Sequence, residues 1–239
     1  MNNHAHALLE ELDLFCVDVY PPLTGKRAMA LDLRLLERWL TGWSLARGLP
    51  PPRHHGGGLV VDVGWPDQLR RHVFVDAGCA LRECAAQIHA PCVYLKAAVD
   101  PDRLRLALPA HWQIEAARYL MAHRTAMRAP GALPAGYQAS IGKEHGACVI
   151  RVVDAAGQTA AIGRVVVHGT TAVFDRIETF APHQRQGLGS ALMAALDALA
   201  QQGGVSERLL VATEAGRSLY LALGWRVLAP YSTAVLATR

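Results

Sequence analysis

The chain of 239 residues is 51% hydrophobic and carries a formal net charge of +4. This length suffices for one large or two small globular domains, and arginines in short pieces rather than long basic blocks argue against a nucleic-acid partner. The N-terminal sequence has no basic segment ahead of an apolar one, so no signal peptide is predicted, and no apolar run is long enough to span a membrane. The five cysteines contain no C-x-x-C pair, which favours free thiols and a cytoplasmic protein with no membrane partner.

The N-terminal half is predicted to form an α/β domain over residues 1–130. Apolar residues at helical spacing predict amphipathic helices at Leu8–Phe15 and Leu31–Arg47, separated from the next element by the loop Gly48–Gly58. The remaining elements of this half are predicted as strands at Leu59–Val63, His72–Asp76 and Cys92–Val99, and as helices at Cys79–His89 and His111–Arg124. Residues 129–136 contain two prolines and two glycines and are predicted to form a linker.

The C-terminal part, residues 131–239, has a different pattern. Four runs with turns between them predict an antiparallel meander, with strands at Tyr137–Ile141, Ala147–Asp154, Thr159–His168 and Thr171–Phe180. A helix, a strand, a second helix and a last strand follow, at Ser190–Gln202, Arg208–Thr213, Ala215–Leu223 and Tyr231–Thr238. The fold class is therefore α/β, with a mixed and largely antiparallel sheet flanked by helices. An exposed edge on the last strands would support a homodimer.

The turn between the fourth strand of the meander and the following helix is the most informative segment. Gln184, Gly187 and Gly189 fit the spacing Q/R-x-x-G-x-G. Glycines at this point let the backbone approach a ligand closely, and the helix that begins there directs free N–H groups and its positive dipole end to the same place. The turn is therefore a predicted anion site, and a phosphorylated cofactor is its natural occupant.

The sequence from Phe180 to Trp225 resembles the GCN5-related N-acetyltransferases, the GNAT superfamily. The resemblance rests on the glycine turn, on the strand Asp175–Phe180 before it, and on Tyr220 four residues ahead of Gly224-Trp225. It covers roughly Gly136 to the C-terminus. The implied activity is transfer of an acetyl group from acetyl-CoA, a cosubstrate, to a primary amine by direct attack in a ternary complex. No metal is implied, and no cysteine is placed to carry the acyl group.

The resemblance also implies site residues. The backbone of Thr179, Phe180 and Ala181 would bind the pantetheine arm and polarise the thioester. The pyrophosphate would be held by the turn and the first residues of the helix, which are Gln184, Arg185, Gln186, Gly187, Leu188, Gly189 and Ser190.

Two residues are predicted to be catalytic. Tyr220 would donate a hydrogen bond to the leaving thiolate, because a phenol with a pKa of about 10 cannot readily protonate a thiolate with a pKa of about 8.5. The other interpretation of Tyr220 is a core aromatic. Glu178 would accept the amine proton directly or through a water; alternatively it is a solvent-facing residue paired with Arg176. Glu144 and His145 are weaker candidates for the base.

One feature departs from the family. Members usually have two helices between their first two strands, whereas only Ile141–Gly146 lies between the corresponding strands here. The N-terminal half would then cover that face, either as a degenerate GNAT-like unit or as a separate α/β cap. The acceptor stays open among a small-molecule amine, an amino acid, an antibiotic and a peptide terminus.

Other classes fit less well. A non-catalytic acyl-CoA-binding or regulatory module is the main alternative, and a nucleotide-binding oxidoreductase is a third, although G-x-G-x-x-G is absent. His55-Gly56-Gly57-Gly58 matches an esterase motif, but Ser44 lies in a helical pattern and precedes it, which argues against a hydrolase. Cys79, Cys84, His89 and Cys92 lack the spacing of a metal site, and buried thiols are expected instead.

Overall fold

The computed structural model describes residues 31–128 and 133–236, all of which belong to one compact unit. The strands are β1 (Arg53–His55), β2 (Gly58–Trp65), β3 (Gln68–Phe74), β4 (Val93–Ala97), β5 (Trp112–Ile114), β6 (Arg118–His123), β7 (Gln138–Glu144), β8 (Ala147–Val153), β9 (Thr159–His168), β10 (Thr171–Thr179), β11 (Glu207–Thr213) and β12 (Arg226–Leu236). The helices are α1 (Leu33–Leu45), α2 (Cys79–Gln87), α3 (Pro101–Ala107), α4 (Leu188–Gln201) and α5 (Glu214–Ala222), with a short 3₁₀ helix at Ala181–His183. The fold class predicted from the sequence is confirmed. The helix predicted at Leu8–Phe15 lies outside the described residues.

All twelve strands belong to one sheet, whose order is β1-β2-β3-β4-β12-β6-β11-β10-β9-β8-β7, with β5 paired to β12. The strands on the two sides of the β12–β6 pair show the same pattern of parallel and antiparallel pairing. In one half β3 and β4 are parallel and β4 pairs antiparallel with β12; in the other, β10 and β11 are parallel and β11 pairs antiparallel with β6. Each half therefore places its last strand beside the other half. Whether the N-terminal half is a degenerate GNAT-like unit or a separate α/β cap stays a prediction.

The two faces of the sheet carry separate cores. Along β6 and β11, consecutive residues alternate between them: Leu120 and Leu209 face one core, whereas Met121 and Leu210 face the other, as the two-residue period of a strand requires. The first core is covered by α1, whose Asp32 cap accepts a hydrogen bond from the Leu35 N–H. The second is covered by α4. The helix α1 thus occupies the face of β9 and β10, and β7 and β8 join without an intervening helix.

The prediction of a helix at His111–Arg124 is wrong. This segment contains β5 and β6, and β6 lies between β11 and β12. The consecutive residues Leu120 and Met121 are fully buried on opposite faces of the sheet. An apolar run covered on both sides lacks the alternation that identifies a strand by sequence, so a helix and a strand fit it equally well.

Two further expectations require correction. The loop Gly48–Gly58 contains the short strand β1, whose His55 pairs with Gly58 across a tight turn. The last strand, β12, is not an edge: it pairs with β4, β5 and β6. The homodimer predicted from an exposed edge at this strand therefore loses its structural basis. Within the two described ranges, no helix is long and apolar enough to cross a membrane.

Candidate functional site

A gap opens in the sheet where β10 and β11 separate. These parallel strands pair only from Thr171 to Val173 on β10, opposite residues 207–209 of β11. Beyond this point β11 continues against β6, whereas β10 continues against β9 alone, with a bulge between Asp175 and Glu178. The equivalent pair in the N-terminal half, β3 and β4, stays paired to the end of β3 at Phe74. Of the two parallel pairs, only β10 and β11 leave backbone groups free for an extended ligand.

The glycine turn lies at the end of this gap, between β10 and α4. Arg185 and Gly187 both have positive φ angles, of 63° and 81°, and Gly187 is the N-cap of α4 without any side-chain cap. The first hydrogen bond within the helix is donated by the Ala191 N–H to the Gly187 carbonyl. The N–H groups of residues 188–190 therefore precede the helical ladder, which is the arrangement that an anion site at a helix N-terminus requires.

Gly189 has little room for a side chain. A Cβ at this position would lie 3.0 Å from Leu219 Cδ2 on α5 and 3.6 Å from Thr179 Oγ1. The first turn of α4 consequently sits close to both the end of β10 and α5. A larger side chain would require the Leu219 side chain to shift.

Side chains hold the turn in place. The Gln184 Nε2 donates to the Thr179 carbonyl at 3.0 Å. The Tyr137 hydroxyl contacts His183 Nδ1 at 2.9 Å and donates to Gln186 Oε1 at 3.0 Å. Sequence reasoning missed Tyr137, because it lies in the residues after the linker and nothing in that segment points to the turn.

The backbone of β10 presents alternate groups to the gap. The Phe180 N–H donates to the Ala160 carbonyl of the β9 segment at 3.0 Å, so it is already occupied. Because successive amides of a strand point in opposite directions, the Thr179 N–H faces away from β9. Of the predicted pantetheine residues Thr179, Phe180 and Ala181, the second therefore has no free amide.

Tyr220 lies on α5 and packs among aromatic rings. Its ring centroid is 6.0 Å from that of Trp225, which in turn makes an edge contact with Phe174 of β10 at 5.3 Å. Burial, followed by the charge of Asp175, raises the pKa of Tyr220 to about 12. The phenol thus remains a hydrogen-bond donor far above neutral pH.

Two carboxylates of β10 differ in environment. Glu178, the predicted base, is exposed and forms no ion pair with any described residue. Asp175 was not predicted from the sequence; its side chain is 12% exposed and forms a salt bridge with Arg47, next to the C-terminal end of α1. The pKa of Arg47 is lowered, mainly by burial. The Asp175 carboxylate is therefore engaged by Arg47, whereas that of Glu178 is open to solvent.

The other two base candidates help to anchor α1. Glu144 Oε2 lies 3.3 Å from Arg164 Nη2, and Arg164 Nη1 donates to the Ala46 carbonyl at 2.8 Å. His145 lies against Gly48, where a Cβ would be only 2.5 Å from the His145 Nδ1. Both contacts fix the end of α1 on the sheet.

A cavity of about 630 Å³ lies beside the turn. Gly187, Ser190 and Ala194 of α4 form one wall, and Leu223 and Gly224 after α5 form another. The end of β6 and the loop after it contribute His123, Ala126, Met127 and Arg128 to the lining. The cavity adjoins the glycine turn and has room for a further part of a ligand bound at the turn.

The described cysteines include both free thiols and a disulfide-bonded residue. Cys84, Cys92 and Cys148 are free thiols, and burial raises the pKa of Cys84 to about 11. Cys79 is disulfide-bonded, so the expectation of free thiols is wrong at this residue. Among the residues described, no three His, Cys, Asp or Glu side chains gather as a metal site would require.

Comparisons with known proteins relate the chain to one family. Residues 108–225 match the family described as "Acetyltransferase (GNAT) family". No protein in a comparison with curated sequences matches significantly.

Three solved structures share the fold. A GCN5-related N-acetyltransferase from Kribbella flavida has 17% identity and a TM-score of 0.59, with 88% of this chain and 97% of that chain covered. A GCN5-related N-acetyltransferase-like protein from Streptococcus suis has 11% identity and a TM-score of 0.54, with coverage of 86% and 98%. A GCN5-related N-acetyltransferase from Sphaerobacter thermophilus has 14% identity and a TM-score of 0.53, with coverage of 76% and 78%.

Proposed function

From the premise that residues 108–225 of this chain are a domain of the acetyltransferase (GNAT) family, we propose that the protein is an N-acetyltransferase. It would move an acetyl group from acetyl-CoA to a primary amine, which attacks directly in a ternary complex. The observation that carries this proposal is the gap between β10 and β11, which ends at the uncapped N-terminus of α4. An extended arm fits the gap and a pyrophosphate fits the helix end.

The chain supplies distinct groups for each part of the cosubstrate. The backbone N–H groups of Thr179 and Ala181 would pair with the pantetheine arm and polarise the thioester carbonyl. The turn Gln184–Ser190 would hold the pyrophosphate through its backbone amides, with the Arg185 side chain adding positive charge. Acetyl-CoA, when bound, supplies a thioester whose acetyl group is open to attack by an amine.

Tyr220 would act on the leaving group. Its pKa of about 12 lies about 3.5 units above that of a thiol, so full proton transfer to a thiolate is uphill by about 5 kcal/mol. A hydrogen bond to the developing negative charge avoids this barrier. The structure therefore favours Tyr220 as a hydrogen-bond donor that stabilises the thiolate.

The amine must lose a proton before or during attack. A lysine-type amine with a pKa of about 10.4 needs about 4.6 kcal/mol to become neutral at pH 7, whereas an α-amino group with a pKa near 8 needs only about 1.4 kcal/mol. Glu178 lies on β10, the strand that would carry the thioester, and is open to solvent. We assign it the role of accepting the proton, directly or through a water.

The N-terminal half, residues 1–130, would complete the acceptor side. Its helix α1 covers β9 and β10 on the face opposite α4, where the missing family helices would otherwise lie. The acceptor would be a small-molecule or peptide amine, in a cytoplasmic setting; a homodimer remains a proposal without a defined interface.

A second function follows from the exposure of Glu178. Because this carboxylate has no polar partner in the described residues that would orient it, the chain could instead bind acyl-CoA without turnover, as a regulatory module. The two functions differ in one measurable respect, which is acetyl transfer.

The test is to incubate the protein with acetyl-CoA and a panel of primary amines. Release of the CoA thiol together with an acetylated amine, detected by mass spectrometry, is the expected result. Binding of CoA without transfer to any amine would favour the regulatory module. An acetylated protein formed without any amine would contradict direct transfer.

A further inference from the structure

A buried arginine on the α1 face lies outside the proposed cofactor site. Arg71 lies on β3 and is only 8% exposed. Its guanidinium group stacks on the indole ring of Trp43 of α1, 3.6 Å from the ring centroid. The Nη2 group donates to Gln68 Oε1 at 3.2 Å. The side chain is therefore fixed in place by an aromatic ring and a single neutral hydrogen bond.

This guanidinium has no counter-ion. Among the described residues no carboxylate lies within ion-pair distance of Arg71, and its Nε has no hydrogen-bond partner. The nearby Gln68 Nε2 and Tyr231 hydroxyl are also buried without a partner. Burial lowers the pKa of Arg71 to about 10. A buried cation without a partner is strongly unfavourable, and so is each buried donor without an acceptor.

The hydrogen-bonding chemistry of these three groups defines the kind of ligand that would satisfy them. The Arg71 Nε and the Gln68 Nε2 can only donate hydrogen bonds, and the Tyr231 hydroxyl can donate one. The group that satisfies them must accept hydrogen bonds and carry negative charge. A planar guanidinium fork matches the oxygens of a carboxylate or a phosphate.

Arg71 is linked to the reaction centre through one tryptophan. The Arg47 guanidinium lies over the same Trp43 ring, 4.4 Å from its centroid, and forms the salt bridge with Asp175 of β10. The charge of Asp175 acts on both Arg71 and Tyr220. Arg71 therefore lies on the α1 face of the sheet, opposite the α4 turn that would hold the cofactor phosphates. This is the face on which the N-terminal half would complete the acceptor side.

We propose that Arg71 binds an anionic oxygen group of the acyl acceptor, so that the acceptor is a small amine which also carries a carboxylate or a phosphate. This inference rests on the proposed acetyltransferase function. Arg71 and Tyr231 hold the anionic end of the acceptor, while its amine reaches the thioester near Asp175 and Tyr220. Arg71 thereby selects substrates by charge.

The test compares matched amines with acetyl-CoA as donor. One pair is 4-aminobutyrate and butylamine, and the other is phosphoethanolamine and ethanolamine; the two pairs separate a carboxylate from a phosphate. The proteins are the wild type, Arg71→Met, Arg71→Lys and Arg70→Met. Arg70 is the matched control, because it is the neighbouring residue on β3 and is exposed and paired with Asp62.

In the wild type and in Arg70→Met, kcat/KM should favour the anionic member of at least one pair by about tenfold or more. Arg71→Met should abolish this preference, and Arg71→Lys, which keeps the charge but not the fork, should retain only part of it. Equal rates within both pairs, or a preference that survives Arg71→Met, would overturn the inference. The comparison of anionic and neutral amines in the wild type tests the inference even if a variant does not fold.

The Tm with acetyl-CoA distinguishes a failure of the inference about Arg71 from a failure of the proposed function. If acetyl-CoA raises the Tm but neither anionic amine is acetylated, the inference about Arg71 is wrong while the cofactor site stands. If acetyl-CoA does not bind, the proposed function fails, and the acceptor assignment fails with it.

Discussion

Tyr220 is the residue on which the proposed chemistry depends most. Its ring lies over Gly216, where a Cβ would be 3.1 Å from Tyr220 Cε2, and beside Trp225. Tyr220 occupies a core position, and this position is compatible with the catalytic role proposed for its hydroxyl. Removing only the hydroxyl separates them, because the ring packing is retained.

We expect Tyr220→Phe to lower kcat by about 10- to 100-fold with little change in the KM for acetyl-CoA, since a hydrogen bond to a charged group contributes about 1.5–3 kcal/mol. Steady-state kinetics with any acetylated amine measures this. Leu221→Ala, at an exposed position of the same helix, is the control and should leave kcat unchanged. An unchanged kcat in Tyr220→Phe would leave this residue a purely structural role.

Individual residues were predictable only where the local sequence determines their position. The glycine turn and Tyr220 lie in a continuous segment with a defined spacing, so the sequence alone singles them out, and their roles stay predictions. The Arg47–Asp175 pair joins residues 128 positions apart, and Arg71 meets Trp43 through packing between a helix and a strand. Such contacts depend on the order of strands in the sheet, which local patterns do not specify.

At the level of elements, the turn that begins α4 has two separable requirements. Gly187 needs a positive φ of 81° but has open space for a side chain, whereas Gly189 lacks space. Gly157, in the turn between β8 and β9, has the same properties as Gly187, with a φ of 78° and open space. The two glycines therefore have the same conformational and steric requirements, but only Gly187 lies at the proposed site.

We expect Gly187→Ala and Gly157→Ala to destabilise the protein by similar amounts, about 1–2 kcal/mol, because both force a Cβ into the left-handed region. Only Gly187→Ala should also raise the KM or Kd for acetyl-CoA, by about tenfold, because it shifts the amides of the anion site. Calorimetric titration of both variants measures this. Equal affinity for acetyl-CoA in the two variants would contradict the assignment of the turn.

Element types were predicted correctly where a clear period or clear bounding turns mark them. The periodicity of α1 agrees with the structure, since a half-buried helix shows its period in sequence. In the meander, β9 and β10 contain runs that are buried on both faces, so the turns between the runs, rather than alternation, identify these strands. β6 is also covered on both faces, but no glycine or proline turn separates it from β5, so its apolar run fits a helix equally well. The placement of β6 beside β11 and of β12 beside β4 is also not indicated by any local sequence pattern.

For the molecule as a whole, a buried ion pair joins three parts of the site. Asp197 of α4 is fully buried and forms a salt bridge with Arg208 of β11. Its other oxygen accepts from the Met127 N–H at 2.7 Å and from Gln201 Nε2 at 2.8 Å. This carboxylate therefore fixes the cavity-lining loop after β6 to α4 and to the sheet.

Asp197→Asn should lower the free energy of unfolding by about 3–5 kcal/mol, because it leaves the Arg208 charge buried and unpaired. Asp62→Asn is the control: Asp62 pairs with Arg53 and Arg70 at the exposed edge of the sheet and should change stability by no more than about 1 kcal/mol. Urea unfolding of both variants gives the comparison. Similar losses in the two would show that the buried pair does not hold the fold together.

The stability of the molecule should also depend on pH through His72. Burial, followed by the charge of Arg70, lowers the pKa of this β3 side chain to about 4 from its usual 6.5. The neutral form is favoured in the folded state, so the contribution is complete above pH 6.5 and is lost as the pH falls towards 4. We expect a loss of about 3 kcal/mol over this range, measured by urea unfolding. His72→Leu should reduce this loss, and an unchanged pH dependence would contradict it.

The central claim is that the gap and the glycine turn form a site for acetyl-CoA, and the most direct measurement is the Tm with different ligands. A ligand that binds only the folded state at 100 times its Kd adds about 2.7 kcal/mol to stability. Acetyl-CoA and CoA should each raise the Tm by several degrees, whereas NADH should not, and the shift should shrink in Gly187→Ala but not in Gly157→Ala. No shift with either CoA species would contradict the assignment, and a shift with NADH alone would favour a nucleotide-binding oxidoreductase.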